Sequence, residues 1–329
     1  MHKTGDARGI ATPWLTSVGP TRRWAIARTL TICWLGLGLA ACTNLTGEPD
    51  LTIKDTQMTV GDYTYDVRRA GNGDDLVILL HGFPETSHMW LPLLESLAAN
   101  GYTALAPDLK GYSPGARPEG AEHYAHPVMA ADILAMADAE GKDRFHLVGH
   151  DHGAGLGWYM VGRHAERIIS WTALSVPHID AFVQAIASNP EQQERSQYMT
   201  FFRQVGTAEN ALSANDFEAL RNIWNASAPV QVEEYVRVLS QPGALTGALN
   251  WYRGGLTADR QPVGQVSVPT LMIWGNQDQA IGRPGVDATP PLMDGPYRLV
   301  ELDAGHWLIQ EAQADVLRET LGHLKEFPR

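Results

Sequence analysis

Apolar and polar positions follow two different periods along this chain, and the switches between them mark its elements. Tyr63 to Val67 alternates, as a strand with one wet face does. Gly71-Asn72-Gly73-Asp74 then reads as a turn. Leu76 to Leu80 is an unbroken run of Leu, Val and Ile, the pattern of a parallel strand buried on both faces. Met89 to Asn100 has helical spacing and stops at Gly101. Thr103 to Ala106 reads as a short strand, leading to Pro107-Asp108 and a Gly/Pro-rich loop, Gly111 to Pro118. The same reasoning predicts a helix over Val128–Ala139, a strand over Phe145–Val148, a helix over Ala154–His164 and a strand over Ile168–Val176.

Strands alternating with helices predict an α/β fold with a doubly wound, mostly parallel sheet. From about Pro177 to Thr257 the alternation stops, and helices and loops carry scattered Tyr, Phe and Trp. It resumes with strands at Pro269–Trp274 and Tyr297–Leu302 and a final helix over about Ala312–Phe327. A helical block between two sheet strands reads as a cap. The expected division is a core in two parts, 58–176 and 258–329, with the cap at 177–257 between them. A length of 329 residues, 44% hydrophobic, suits one large α/β domain with such an insertion.

The front of the chain is different in kind. Arg22, Arg23 and Arg28 form a basic region, Thr29 to Ala41 is uncharged and apolar, and Leu39-Ala40-Ala41-Cys42 closes it with small residues. This reads as a signal peptide over 1–41, too short for the ~20 apolar residues of a membrane span. The last four residues resemble the lipobox of bacterial lipoproteins. That resemblance implies lipidation at Cys42, a tether over 42–57, and an exported protein anchored in a bacterial envelope by the lipid alone. The two cysteines are Cys33 and Cys42, so a chain without its signal has one and forms no internal disulfide. A net charge of −12 speaks against nucleic acid and anionic membrane surfaces as electrostatic partners. Nothing in the sequence bears on oligomeric state.

The chemistry centres on Val148-Gly149-His150-Asp151-His152-Gly153-Ala154-Gly155, between a predicted strand and a predicted helix. Gly-x-nucleophile-x-Gly in that setting is the nucleophile elbow, whose sharp turn strains the central residue and needs small neighbours. Ser is the usual occupant, and here it is Asp151. An aspartate is ionised at neutral pH without a helper base. It can attack an electrophilic carbon and form an ester, which must be hydrolysed in a second step. The alternative is a plain Gly-flanked turn.

From about Val60 onward the chain resembles the α/β-hydrolase fold, and within it the epoxide hydrolases. The carriers are His81-Gly82-Phe83-Pro84, Gly149-His150-Asp151, Leu249-Asn250-Trp251-Tyr252-Arg253 and Gly305-His306-Trp307, in that order. The order nucleophile, acid, histidine is that of α/β-hydrolases. His306 follows the last strand and, as a neutral imidazole, takes a proton from the water that attacks the ester. Asp278, just past the preceding strand, is the candidate carboxylate to orient it. Asp303, three residues before His306, is the rival and better suited to shaping the turn. The resemblance implies an oxyanion hole from the backbone N–H groups of Phe83 and His152. It also implies tyrosine hydroxyls that protonate the opened oxygen: Tyr252, and earlier in the cap Tyr198. Trp158, Phe201, Phe202 and Trp251, with Phe83, are candidate pocket residues and equally candidate core.

One position departs from the pattern. Epoxide hydrolases and haloalkane dehalogenases commonly carry Trp after the nucleophilic Asp, and this chain has His152. Haloalkane dehalogenases hold the halide with that Trp and often have Asn where Phe83 stands. Fluoroacetate dehalogenases follow the nucleophile with Arg residues that hold the substrate carboxylate, and His152-Gly153-Ala154-Gly155 contains none. Three readings remain. The first is an epoxide hydrolase using Asp151, Tyr198, Tyr252, His306 and Asp278 on a small-molecule epoxide and water. The second is a hydrolytic dehalogenase using the same Asp, His and acid. The third is a non-catalytic, surface-tethered binding protein. No metal-ligand cluster, phosphate loop or dinucleotide fingerprint stands out, so no metal or cofactor is expected.

Overall fold

The computed structural model describes residues 50–224, 229–255 and 261–329. The expected signal sequence and Cys42 lie outside the described residues.

Eight strands form one sheet: β1 (Lys54–Val60), β2 (Tyr63–Ala70), β3 (Asp75–Leu80), β4 (Tyr102–Pro107), β5 (Phe145–His150), β6 (Ile168–Leu174), β7 (Thr270–Gly275) and β8 (Tyr297–Leu302). Their order is β1-β2-β4-β3-β5-β6-β7-β8. β2 runs antiparallel to β1 and β4, and every other pairing is parallel. The central strands β3, β4, β5, β6 and β7 are buried almost throughout, as their continuous apolar runs require.

The helices that cover the sheet are α1 (Leu91–Ala99), α2 (His126–Ala139) and α3 (His152–Arg163), with α12 (Gln313–Glu326) near the end of the chain. From β3 the chain steps to β4 on one side, then back across β3 to β5 on the other. With right-handed crossovers, opposite steps place α1 and α2 on opposite faces. α1 packs with α12, and α2 with α3. Pro92 opens α1 and Pro127 opens α2, where a missing N–H has no helical partner to lose.

Between β6 and β7 lie α4 (Ile179–Ser188), α5 (Pro190–Arg195), α6 (Gln197–Phe202), α7 (Thr207–Arg221), α8 (Pro229–Leu239) and α9 (Ala244–Gly254). α7 is interrupted at Ala214–Phe217, where Asn215, Asp216 and Phe217 have left-handed backbones. α9 docks backbone to backbone on the core. A Cβ at Gly247 would lie 2.6 Å from Gly111 Cα, and one at Gly254 would lie 2.0 Å from Ala121 O. α10 (Arg283–Asp287) and α11 (Leu308–Glu311) complete the chain.

Most expected boundaries move by one to three residues, and two of the differences have a clear cause. β1 begins at Lys54, so 54–57 belong to the sheet and not to a tether. Its residues are mostly exposed and polar, which leaves an edge strand without an apolar signature. β6 ends at Leu174 and not Val176, because Ser175 adopts a left-handed φ of 67° and turns the chain off the sheet.

Candidate active site

Four strand ends, of β3, β5, β7 and β8, carry the candidate chemistry. Leu80 of β3 pairs with Gly149 of β5, and His150 of β5 with Leu174 of β6. Immediately past these ends come Phe83 and Asp151. Gly275 of β7 pairs with Leu302 of β8, and Asp278 and His306 follow them. Side chains at the carboxyl ends of parallel strands share one crevice.

Asp151 sits at φ 50° and ψ −119°, between β5 and the first turn of α3. No room exists beside it. A Cβ at Gly82 would lie 2.3 Å from Asp151 Cβ; one at Gly149 would lie 2.6 Å from Gly153 O; one at Gly153 would lie 2.2 Å from Leu80 O. Glycine at all three positions is what lets the strained turn close.

The Phe83 N–H donates to Asp151 Oδ1 at 2.8 Å. His152 is the first residue of α3, so its N–H has no acceptor within the helix. His81 pins the loop after β3: its Nε2 accepts the Leu109 N–H at 3.0 Å. The second oxygen, Asp151 Oδ2, lies 3.5 Å from His306 Nε2. His306 Nδ1 lies 2.7 Å from Asp278 Oδ2. Asp278 Oδ1 in turn accepts the N–H groups of Ala280 and Ile281 at 2.8 and 2.9 Å. Asp303 is exposed and accepts from Gln277 at 2.6 Å, away from His306.

The electrostatics follow from these contacts. Burial opposes charge on both Asp151 and His306, but each is offset. The imidazoles around Asp151 hold its carboxyl well below the usual carboxylate range. Asp278 and Asp151 push His306 well above the ordinary histidine range. The resting pair is therefore carboxylate and imidazolium. Burial lowers His152, despite the adjacent Asp151.

Behind His306 lies a second layer. His150 Nε2 lies 2.9 Å from the His306 carbonyl, to which Ser175 Oγ also donates at 2.9 Å. His150 Nδ1 sits 3.0 Å from Glu85 Oε2, an electrostatic contact rather than an aligned hydrogen bond. Gln310 donates to Glu85 Oε1, and Tyr235 Oη is 3.4 Å from the same oxygen. Glu85 and His150 are fully buried.

A cavity of about 510 Å³ opens above Asp151. That is an ordinary size for a small-molecule site. Asp151 and His306 form part of its floor; Phe83, Phe202, Trp307 and Ile223 are apolar walls. Tyr198 and Tyr252 line it as well, with ring centroids 6.2 Å apart. Burial, and then nearby charges that include Asp151, raise both tyrosines far above the ordinary range, so both keep their protons at neutral pH. Arg195 lines the same cavity, but its guanidinium is bound to Glu191 at 2.8 Å and to the Asp278 carbonyl at 2.7 Å. Among the described residues no group of three or more His, Cys, Asp or Glu is placed to hold a metal ion.

The profile of the family described as alpha/beta hydrolase fold matches residues 75–313. The chain belongs to the α/β-hydrolase family. It is an epoxide hydrolase-like enzyme of that family. Epoxide hydrolase A of Mycobacterium tuberculosis is 32% identical over 298 residues, covering 77% of this chain and 91% of that protein. Epoxide hydrolase 4 of Mus musculus is 32% identical over 270 residues, covering 78% of this chain and 75% of that protein. A fluoroacetate dehalogenase of a Burkholderia species is 31% identical over 292 residues, covering 80% and 91%. The crystal structure of an epoxide hydrolase from Bacillus megaterium with an inhibitor superimposes with a TM-score of 0.76 at 25% identity, over 82% of this chain and all of that one.

Within this α/β-hydrolase, Asp151, Asp278, His306, Tyr198, Tyr252, Phe83 and Phe202 share one site. Three expected pocket residues do not line it. Trp158 is buried under α3, where its Nε1 donates to the Val176 carbonyl at 3.0 Å and its ring meets Trp171. Trp251 faces the core side of α9, and its Nε1 donates to the Lys110 carbonyl at 2.8 Å. Tyr198 and Phe202, four apart on α6, reach the cavity; Phe201, about 100° round the helix from Phe202, packs against the Phe202 ring at 5.9 Å and does not line it. Sequence reasoning missed Glu85, Gln310 and Tyr235. Glu85 directly follows His81-Gly82-Phe83-Pro84, and that adjacency was the one available signal.

Proposed function

We propose that this enzyme opens epoxides to vicinal diols through an ester on Asp151. The observation that carries the reading is one cavity in which a buried carboxylate faces two protonated tyrosines and a histidine–aspartate pair. Asp151 Oδ2 attacks a ring carbon and the ring C–O bond breaks. The freed oxygen takes a proton from Tyr252 or Tyr198, which no neighbouring base is needed to prepare. Asp151 Oδ1 stays with the N–H groups of Phe83 and His152. With the Asp151 charge gone, the His306 imidazolium gives its proton to the tyrosinate. Now neutral and oriented by Asp278, His306 removes a proton from water, and the hydroxide attacks Asp151 Cγ. The oxyanion forms on Oδ1, where the two N–H groups stabilise it. The Cγ–Oδ2 bond breaks, and the diol leaves with Oδ2 as one of its oxygens. His306 passes the proton it took to the departing Oδ2, and the proton left on the new Asp151 carboxyl goes to His306, restoring the carboxylate–imidazolium pair.

Dehalogenation by the same Asp, His and acid is the alternative. A haloacetate brings a carboxylate that requires a cation. The cavity's arginine, Arg195, is already bound to Glu191, and His152 beside the nucleophile is held neutral by burial. The paired tyrosines instead match an oxygen leaving group. A non-catalytic role does not account for the strained nucleophile and its aligned His306–Asp278 pair.

The test is a panel of terminal and aryl epoxides run on the full chain and on Asp151→Asn, with halide release from haloalkanes and haloacetates followed in parallel. Diol from the intact protein and none from the variant is expected. Halide without diol overturns the reading.

We further propose that the protein is exported and held in the envelope by a lipid on Cys42. The support is the apolar run that ends in Leu39-Ala40-Ala41-Cys42. Metabolic labelling with a fatty acid, abolished by Cys42→Ser, tests it.

A further inference from the structure

A second, smaller cavity lies beside the nucleophile. It holds about 30 Å³, room for about two water-sized groups. It shares Asp151, Tyr198 and Tyr252 with the large cavity. The attacking carboxylate and the proton donors therefore sit where the two cavities meet. An epoxide bound there has one cavity for the substituent on each ring carbon.

The walls of the small cavity are mainly apolar, from Val176, Ile179, Phe182 and Met199. Two histidines interrupt them: His126, and next to the nucleophile His152. His152 lines the cavity and is only 9% exposed. Its ring meets Tyr252 edge-on, with centroids 4.2 Å apart. No hydrogen bond to its ring is found among the described residues, and its ring nitrogens are not fully enclosed, so a small group can reach them. A largely buried imidazole whose nitrogens are reachable but unpartnered gains from a partner, and the adjoining cavity is where one fits.

The partner's chemistry is constrained. Burial holds the imidazole neutral, so it offers one donor and one acceptor and no charge. The Asp151 carboxylate next door repels an anion. A neutral hydroxyl, itself donor and acceptor, satisfies both constraints. The volume admits a hydroxymethyl group and little more.

We propose that this cavity is a short-arm subsite, in which the His152 imidazole hydrogen-bonds a hydroxymethyl group on one carbon of an internal epoxide. The inference rests on the epoxide reading and deepens it. The substrate class is the 2,3-epoxy-1-alcohols, with the long arm in the large cavity and the alcohol on His152. His152 then contributes twice: its backbone N–H to the oxyanion and its ring to specificity.

The test compares three substrates on the full-length protein: a trans-2,3-epoxy-1-alcohol, its deoxy counterpart ending in methyl, and the terminal epoxide with the same long arm. The wild type is expected to favour the alcohol over the deoxy compound in kcat/KM by about tenfold, the scale of one good hydrogen bond. His152→Phe removes that preference, whatever it does to the absolute rate. His152→Gln, which keeps a donor and an acceptor, retains part of it. Gly155→Ala is an independent probe. A Cβ there meets His126 and Ile179 at ordinary contact, 3.9 and 4.0 Å, so the helix tolerates it while the subsite narrows. It is expected to lower turnover of both internal epoxides relative to the terminal one. Equal use of alcohol and deoxy compound by the wild type, or a preference that survives His152→Phe, overturns the subsite. No diol from any of the three overturns the epoxide reading and the subsite with it.

Discussion

Asp151 Oδ2 and His306 Nε2 stand 3.5 Å apart, and each holds the other in its charged form. In the proposed cycle this contact is a switch. While Asp151 is a free carboxylate, His306 is an imidazolium and no base. Once Asp151 becomes an ester, its negative charge is gone, and part of what raised His306 goes with it. The base is generated by the step that creates the need for it. Replacing Asp151 by Asn mimics the ester's charge. A downward shift of the His306 titration in Asp151→Asn, followed by NMR of the ring protons, is the expected result; an unchanged titration contradicts the switch.

The two half-reactions should respond differently to pH. Asp151 is already ionised and both tyrosines are already protonated across the neutral range, so ester formation should be flat from about pH 5 to 9. Ester hydrolysis needs neutral His306, so its rate should fall as the pH falls through the histidine's value in the ester. Stopped-flow measurement of the two phases checks this. Ester should accumulate in acid and not in base.

Tyr252→Phe and Tyr198→Phe each remove one hydroxyl from the cavity and leave the ring packing in place. Each is expected to slow ester formation by about tenfold to hundredfold, and the double variant by about 10³ or more, because the second hydroxyl substitutes in part for the first. Ester hydrolysis should be less affected, since His306 and the N–H groups act there. Single-turnover kinetics separate the two.

The glycines around the elbow are not equivalent. Gly153→Ala drives a Cβ to 2.2 Å from the Leu80 carbonyl and should cost about 1–3 kcal/mol or more, seen as a lower Tm. Gly155→Ala, two residues along the same helix, meets only ordinary contacts and should be neutral, or stabilising by about 0.5–1 kcal/mol. Glu85→Leu should cost roughly 3–5 kcal/mol, because it leaves the buried His150 and Gln310 without their partner.

Much of this arrangement is readable from local pattern. The apolar runs of β3, β5, β6 and β7 announce buried parallel strands, and the glycines flanking Asp151 announce a turn that no larger residue permits. Asp278 and His306 are legible because each follows a strand end, where a parallel sheet gathers its chemistry. What is not legible depends on rotation and distance. Phe201 and Phe202 are neighbours in sequence and separate on α6. Trp158 and Trp251 are aromatic like the pocket walls, but each gives its N–H to a backbone carbonyl in the core. Glu85, His150 and Gln310 meet only after folding, and no spacing predicts their contact. β1 is an exposed edge, and its polar residues look like linker.

The central claim is that Asp151 carries a covalent ester that His306 is needed to break. The most direct measurement is intact-protein and peptide mass spectrometry on His306→Gln after incubation with a turned-over epoxide. The expected result is a mass increase equal to one epoxide, located on the peptide containing Asp151 and absent from Asp151→Asn. An unmodified Asp151 in a His306→Gln protein that still releases diol would contradict the account.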